Sequence, residues 1–252
     1  MKIGCCASLD QAVMLQEAGF DFLEVPVVSL MGENQQQVNE RIKAYQDSPL
    51  PVEVCNILLP GSLKVTGNQV DQQALDTYLA KMLPRVKEIG ADTVVFGSGG
   101  ARTYPTDFSA GEAHRQIVHF LQMVAWYAES LELTMVIEPL NREESNAINT
   151  VLEATALAEE VNHPSIKVLA DFYHMQKEQE PLTNIAKADR WIRHIHVADS
   201  NRFAPGTGSY PYHDLREQLE SIDYHQRLSI ECQWKDMEAE AAEANRFLHE
   251  IF

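Results

Sequence analysis

Positive charge is scarce in this chain. Its 252 residues include 20 lysines and arginines against 37 aspartates and glutamates, which gives a formal net charge of −17 at pH 7. Proteins that bind phosphodiesters draw most of their affinity from basic side chains, so this charge opposes binding to nucleic acids and to anionic membrane surfaces. We therefore expect no nucleic-acid partner, whereas small neutral substrates and metal cations remain open.

Long apolar runs are also missing. No run reaches the roughly 18 residues that a membrane-spanning helix requires, and the residues after Met1 lack the basic and apolar regions of a targeting segment. The sequence therefore predicts no membrane partner and a cytoplasmic protein.

Cysteine is rare, and its spacing argues against a disulfide framework. The four cysteines, Cys5, Cys6, Cys55 and Cys232, contain no CxxC pair. This pattern does not suggest a disulfide framework. We expect reduced, buried thiols, and a reactive or metal-ligating cysteine is the alternative.

What the chain does contain is a regular alternation of two patterns. Short β-rich apolar runs recur about every thirty residues, separated by stretches whose apolar residues return at helical spacing. Parallel strands need crossover connections, which helices normally supply, and eight such units close into a barrel. We predict an α/β fold with a single eight-stranded parallel (β/α)8 barrel domain over residues 1–252. The predicted strands are Lys2–Cys6, Phe22–Val27, Val52–Leu58, Thr93–Ser98, Thr134–Leu140, Ile166–Phe172, Ile192–Ala198 and Leu228–Trp234.

A doubly wound open sheet is the structural alternative. Such a sheet is expected to carry a glycine-rich phosphate turn after its first strand, where this chain has Ala7-Ser8-Leu9. We interpret the later stretch Gly97–Gly100 mainly as a flexible loop, and we expect the loop over residues 59–67 to cap the barrel. Pro84 predicts a kink or break in the helix over Ala74–Ile89.

Ligand-type side chains stand near the ends of four consecutive predicted strands. These residues are Glu138, Asp171, His196 and Glu231, each about one strand–helix unit after the previous one. Reactive groups of such barrels stand at the C-terminal ends of the strands, so these four side chains are expected to converge. Three carboxylates and one imidazole suit Mn²⁺, Mg²⁺ or Co²⁺ better than thiolate-bound zinc. The alternative is four isolated polar residues.

Further polar groups follow these strand ends closely. Glu144, His174 and Arg202 have the chemistry to hold the hydroxyl or carbonyl oxygens of a substrate, although a surface ion-pair network explains Glu144 equally well. We interpret His194 as a structural histidine of the barrel interior. For Glu24, a substrate contact and a structural ion pair are equal alternatives.

Four motifs follow one another in the second half of the chain. They are Ile137-Glu138-Pro139-Leu140-Asn141-Arg142, Asp171-Phe172-Tyr173-His174-Met175, His196-Val197-Ala198-Asp199-Ser200-Asn201-Arg202 and Pro205-Gly206-Thr207-Gly208. These motifs and their spacing resemble the sugar isomerase/epimerase family with a xylose-isomerase-like TIM barrel. The nearest groups are the D-tagatose/D-psicose 3-epimerases and the 3-dehydro-glycoside 4-epimerases.

The resemblance implies roles for these residues. Glu138, Asp171, His196 and Glu231 are expected to bind one divalent ion, usually Mn²⁺, with Glu138 and Glu231 also acting as acid and base. Glu144, His174 and Arg202 are expected to contact substrate oxygens. The resemblance also implies a homodimer or homotetramer.

The reaction implied is epimerisation of a carbon next to the carbonyl of a ketose or keto-glycoside, through an enediolate. Aldose–ketose isomerisation and inosose-type dehydration on the same barrel are alternatives, and a non-catalytic carbohydrate or metal sensor is another. A three-zinc endonuclease of the same barrel is opposed by the negative charge and by the four-ligand count. The sugar and the inverted carbon stay open.

Overall fold

Eight parallel strands form a closed barrel in the computed structural model, which describes residues 1–252. The strands follow one another around the barrel in chain order, and the last pairs with the first. This closure confirms the predicted (β/α)8 barrel, and the open-sheet alternative is wrong. The strands are β1 Lys2–Cys6, β2 Phe22–Pro26, β3 Val52–Asn56, β4 Thr93–Phe96, β5 Thr134–Ile137, β6 Ile166–Asp171, β7 Ile192–Val197 and β8 Arg227–Ile230.

Helices connect the strands, and many begin at a side chain that caps the first turn. Asn34, Asp71, Ser109, Thr150 and Asp236 each accept a hydrogen bond from a backbone N–H of the helix that follows, which satisfies a donor left free at a helix start. The helices are α1 Ala12–Glu17, α2 Gln35–Gln46, α3 Gln72–Glu88, α4 Gly99–Arg102, α5 Ala110–Ser130, α6 Val151–Val161, α7 Phe172–Lys177, α8 Thr183–Ala188, α9 Tyr212–Ser221 and α10 Met237–Ile251. Short 3-10 turns cover Leu9–Gln11, Val27–Leu30, Asp189–Trp191 and Ser200–Arg202.

Strand alternation divides the apolar residues between two cores. The interior of the barrel holds a small cluster, whereas Met135, Ile137 and Ile230 belong to the larger core between strands and helices. These three side chains therefore point away from the barrel axis, and their alternate neighbours in β5 and β8 point toward it. The interior cluster consists of Phe22, Val54, Val95, Val136 and Leu169.

Several strands end before the predicted boundary. β5 ends at Ile137 and β8 at Ile230, so Glu138 and Glu231 lie one residue beyond their strands. These two polar residues therefore belong to the loops at the barrel mouth, and the hydrogen-bonded pairing of the strands stops before them.

Pro84 does not break its helix. α3 continues past it to Glu88, and Leu83 and Val86 are completely buried against the core. Packing of this apolar face compensates for the backbone hydrogen bond that proline removes, so the predicted break is wrong.

The four cysteines are free. Cys5 and Cys55 are buried, in agreement with the sequence, but Cys6 and Cys232 are half-buried. None of the helices has both the length and the apolar character needed to cross a bilayer.

Candidate active site at the barrel mouth

One ring of side chains lines the C-terminal mouth of the barrel. Each member lies two positions after an inward-facing residue of its strand, so alternation turns it toward the barrel axis. We call this ring the mouth layer. It consists of Cys6, Glu24, Asn56 and Gly97 from β1 to β4 and the loop after β4, and of Glu138, Asp171, His196 and Glu231 from the β5 to β8 side.

The four ligand candidates predicted from the sequence meet in this ring. His196 Nδ1 lies 3.2 Å from Glu138 Oε1, 3.6 Å from Glu231 Oε2 and 3.8 Å from Asp171 Oδ2. His174 also approaches: its ring and the three carboxylates offer atoms that all lie within 4.8 Å of one another. The three carboxylates therefore have two neighbouring imidazoles.

Hydrogen bonds give His196 the orientation of a ligand. Its Nε2 lies 2.8 Å from Glu24 Oε1, while His194 Nε2 lies 2.8 Å from Glu24 Oε2. Because a carboxylate only accepts, His196 Nε2 carries a proton and Nδ1 is the atom that faces the cluster. Glu24 is completely buried, with both oxygens bonded to these histidines, which favours the structural alternative for this residue. His194 also contacts Ser229 Oγ at 3.2 Å, as expected of an interior histidine.

His174 has the opposite arrangement. Its Nδ1 accepts the backbone N–H of Asn141 at 3.2 Å and lies 2.8 Å from Asn141 Nδ2. Burial and then the charge of Arg202 lower the pKa of His174 to about 3, so the ring is neutral and its proton sits on Nε2. That Nε2 is buried without a hydrogen-bond partner, 3.9 Å from Asp171 Oδ2. His174 therefore offers a donor, whereas His196 offers a lone pair.

The pKa values of the three carboxylates reflect their burial and the charges close to them. Burial and the neighbouring carboxylates raise the pKa of Glu138 and raise that of Asp171 further. Burial opposes ionisation of Glu231 too, but His196 and Arg202 outweigh it and bring the pKa of Glu231 to about 2. A cation at this point would relieve the repulsion.

The structure also fixes where Asp171 points. It caps α7: its Oδ1 accepts the backbone N–H of His174 at 2.8 Å, which leaves Oδ2 toward the cluster. The Asp171-Phe172-Tyr173-His174 spacing therefore has a local cause, because one helical turn returns His174 to the side of its own cap.

Arg202 connects the cluster to the rim of the cavity. Its guanidinium donates to Glu231 Oε2 at 2.7 Å and to Glu144 Oε1 at 2.9 Å, and it lies 5.1 Å from the centre of the Tyr173 ring. Glu144 thus lies at the mouth. Arg142 does not, because it forms an ion pair with Glu178.

A cavity of about 230 Å³ opens over the mouth layer. One side carries Glu138, Glu144, Arg202 and Glu231, and the other is formed by Asn56, Ile57, Leu59 and the glycines Gly61 and Gly97 to Gly100, together with Ser98. The 59–67 loop thus contributes to the cavity wall, as expected of a capping loop. A larger cleft of about 850 Å³ lies between α2 and α3, and no mouth-layer residue lines it.

Gly97 has a role that the sequence did not indicate. A Cβ at this position would lie 2.0 Å from Glu138 Oε2, so only glycine leaves room for the Glu138 carboxylate. The interpretation of Gly97–Gly100 mainly as a flexible loop is therefore wrong for Gly97. The only sign in the sequence was the glycine-rich stretch itself, and such stretches are common in the loops that follow strands.

Arg102 was also missed. It is completely buried and donates to the Phe96 carbonyl at 2.9 Å, and its charge favours the ionised form of Glu138. Burial lowers the pKa of Arg102 to about 10. A single arginine at the end of a glycine-rich turn gives no sequence sign of burial.

The fold and this ring define a parallel (β/α)8 barrel whose mouth carries a carboxylate–histidine centre suited to a divalent cation. Residues 13–251 match the family model described as "Xylose isomerase-like TIM barrel". The chain belongs to this family, as its motifs predicted.

Several characterised proteins are similar to this chain. The 3-dehydro-D-guloside 4-epimerase of Escherichia coli K12 is 27% identical over 225 residues, which cover 86% of this chain and 83% of that protein. A D-psicose 3-epimerase of Enterocloster bolteae is 28% identical over 153 residues, but the match spans only 50% of that protein and 59% of this chain. The crystal structure of an E. coli 3-keto-D-glucoside 4-epimerase superposes with a TM-score of 0.85 at 22% identity, covering 99% of both chains.

Proposed function

We propose that the protein is a divalent-metal-dependent sugar epimerase. It inverts a carbon next to the carbonyl of a ketose or keto-glycoside. The observation that carries this proposal is the approach of Glu138 and Glu231 to one cavity from the β5 and β8 sides, with His196 within 3.6 Å of both carboxylates. The epimerases among the relatives support the same reaction class.

The residues of the mouth layer fit a divalent cation. Glu138, Asp171 and Glu231 would supply oxygens and His196 would supply Nδ1, in place of the proton that Glu24, Glu138 and Glu231 now favour on this ring. A bound cation would act as a Lewis acid and make the C–H bond beside the carbonyl more acidic. The oxygen-rich donor set suits Mn²⁺, Mg²⁺ or Co²⁺, and the family resemblance favours Mn²⁺ among them.

The two glutamates perform the proton transfers. One carboxylate removes the proton from the carbon beside the carbonyl, which gives an enediolate, and the other delivers a proton to the opposite face. Inversion requires groups on opposite sides of the substrate, and strands β5 and β8 approach the mouth from different directions. A single base that returned the proton to the neighbouring carbon would give isomerisation instead.

The rim residues bind and orient the sugar. The Nε2–H of His174 and the guanidinium of Arg202 donate to carbonyl or hydroxyl oxygens, and Glu144 accepts from a hydroxyl. Arg202 already bonds both Glu144 and Glu231, so substrate binding and the position of the catalytic carboxylate are coupled.

Proton NMR in D₂O tests the reaction. The Mg²⁺-loaded protein is incubated with D-psicose, D-fructose, D-tagatose and a methyl 3-dehydroglucoside, and a separate Mn²⁺ sample is assayed for turnover. Deuterium beside the carbonyl of an inverted product is expected. An aldose product would indicate isomerisation, and a product that has lost water would indicate dehydration. Bound metal without any hydrogen exchange would favour a sensor.

Metal binding is tested separately from turnover. Asp171→Asn removes one charged ligand, so titration calorimetry with Mn²⁺ should show a weaker Kd; an unchanged Kd would contradict the proposed ligand set. We also propose a homodimer or homotetramer, on the family resemblance alone, which light scattering after size exclusion tests.

A further inference from the structure

Asn56 stands on the side of the mouth layer away from the charged cluster. It is the last residue of β3 and lies two positions after Val54, which packs in the barrel interior. Alternation therefore turns its side chain into the mouth. The residue lines the cavity shared with Glu138 and Glu231, and it is only 5% exposed.

The amide of Asn56 has an unused hydrogen-bonding atom. Its Oδ1 is buried and has no hydrogen-bond partner. Buried polar atoms are almost always bonded, and exceptions call for a specific explanation such as a missing ligand. Here the unpaired atom belongs to a residue that lines the proposed substrate cavity.

The position of β3 indicates which part of a substrate would reach Asn56. In a closed barrel of eight strands in chain order, β3 lies opposite β7. Asn56 therefore lies across the barrel mouth from the strand that carries His196. A sugar whose carbonyl end lies at the charged cluster would turn another part of its carbon chain toward Asn56.

The backbone after Asn56 is held in an uncommon conformation. Ile57 has φ of 43°, a left-handed value that a β-branched residue adopts only under strain. The N–H of Leu59, two residues further on, donates to Ser98 Oγ at 3.1 Å and ties the segment to the loop after β4. Such strain is concentrated at functional sites, where the surrounding structure holds it.

We propose that Asn56 is a substrate-binding residue whose side-chain amide hydrogen-bonds a hydroxyl group of the sugar remote from the reacting carbon. This inference rests on the proposed function. It adds a neutral recognition contact to the charged contacts of Glu144, His174 and Arg202. It also makes the β3 side of the mouth a determinant of which sugar is accepted.

The experiment compares steady-state kinetics of three variants on whichever probe sugar the wild type turns over. Asn56→Leu keeps the approximate size of the side chain and removes its hydrogen-bonding groups, while Asn56→Ser replaces the amide by a hydroxyl, which still donates and accepts, on a smaller side chain. Asn245→Leu is the matched control. Asn245 is also a buried asparagine with an unpaired Oδ1, but it bonds Ala18 and lines no part of this cavity.

Asn56→Leu should raise KM about tenfold, the effect of one lost neutral hydrogen bond, with kcat changed less than twofold. A contact made equally in the ground and transition states produces this split. Asn56→Ser should raise KM less, and Asn245→Leu should leave it unchanged. Thermal unfolding of each variant identifies those that fold. If Asn56→Leu does not fold, the KM of Asn56→Ser decides the question.

Monodeoxy analogues of the same sugar identify the hydroxyl. One analogue should lose affinity with the wild type yet bind Asn56→Leu as well as the parent sugar does, because the contact is already absent. A folded Asn56 variant with wild-type KM for every accepted sugar would overturn the inference and leave the proposed epimerase intact. A wild type that exchanges no deuterium with any probe would overturn both.

Discussion

The two halves of the barrel mouth are built from different chemistry. The β5 to β8 half presents three carboxylates, each within 3.8 Å of His196 Nδ1, whereas the β1 to β4 half presents Cys6, Asn56 and Gly97. Glu24 is the one charged residue of that half, and its carboxylate is bonded to histidines of β7. One half thus concentrates charge for chemistry, and the other supplies space, a neutral amide and support. A barrel lets both converge because every strand ends at the same rim.

The largest effect is expected from the charged half. Glu231→Gln keeps the shape and an oxygen but removes the basic carboxylate, so kcat should fall about a thousandfold while substrate still binds. Rates by NMR and binding by calorimetry measure this. Glu143→Gln is the control, because Glu143 pairs with Lys177 at the surface. Full activity of Glu231→Gln would remove this residue from the mechanism.

The neutral half should matter through the space it leaves. In Gly97→Ala the new methyl would overlap Glu138 Oε2, so the carboxylate must move. Misplacing a catalytic group by about 1 Å costs roughly a hundredfold in rate, and we expect a loss of kcat of that order. Gly111→Ala should have no effect, since the nearest atom to its Cβ lies 3.8 Å away. Equal rates for the two variants would show that Glu138 tolerates displacement.

Glu24 tests the connection between the halves. Glu24→Gln replaces an acceptor of two N–H groups by an amide that accepts only through its oxygen, so the fixed orientation of His196 is lost. Loss of such a supporting contact typically lowers metal affinity by about 10 to 100-fold, measurable by Mn²⁺ titration. Glu53→Gln, which removes an ion-paired glutamate outside the mouth layer, is the control. An unchanged Mn²⁺ Kd in Glu24→Gln would limit this residue to packing.

The smallest effect is a pH dependence of metal affinity. Glu138, Asp171 and His196 have raised pKa values, so each holds a proton at pH values where an isolated group of its type has lost it. Because ligands bind metal in their deprotonated form, Mn²⁺ affinity should rise with pH, by at most about tenfold per pH unit for each proton released. Calorimetry across pH measures the slope.

A variant separates the contributions of the individual ligands. Asp171→Asn should reduce the slope because it removes a group that releases a proton. Glu231, whose pKa is already lowered to about 2, should contribute little to it. A flat profile in the wild type would contradict the raised pKa values of the cluster.

The same division explains what the sequence predicted. The barrel follows from local patterns, because each strand–helix unit carries its own periodicity and several helices carry their own cap. The four ligand candidates could be predicted because they are ionisable residues at the ends of regularly spaced strands. They are Glu138, Asp171, His196 and Glu231. Their detailed roles stay predictions.

The features of the site that the sequence did not predict depend on contacts between segments distant in the chain. Gly97 matters only because Glu138 lies beside it, and Arg102 is recognisable only from its burial. The amide of Asn56 becomes notable only when its oxygen is found without a partner. Which ring nitrogen of His174 and of His196 faces the cluster became clear only from the hydrogen bonds to Asn141 and Glu24.

The most direct test of the two-carboxylate mechanism follows the hydrogen atom on the carbon that is inverted. A substrate of the protein is deuterated at the carbon that is inverted and converted in H₂O to a few per cent. If Glu138 and Glu231 act on opposite faces, the product should carry ordinary hydrogen at that carbon while the remaining substrate keeps its deuterium. Deuterium retained at the inverted carbon, or transferred to the neighbouring one, would show a single base and contradict the two-carboxylate mechanism.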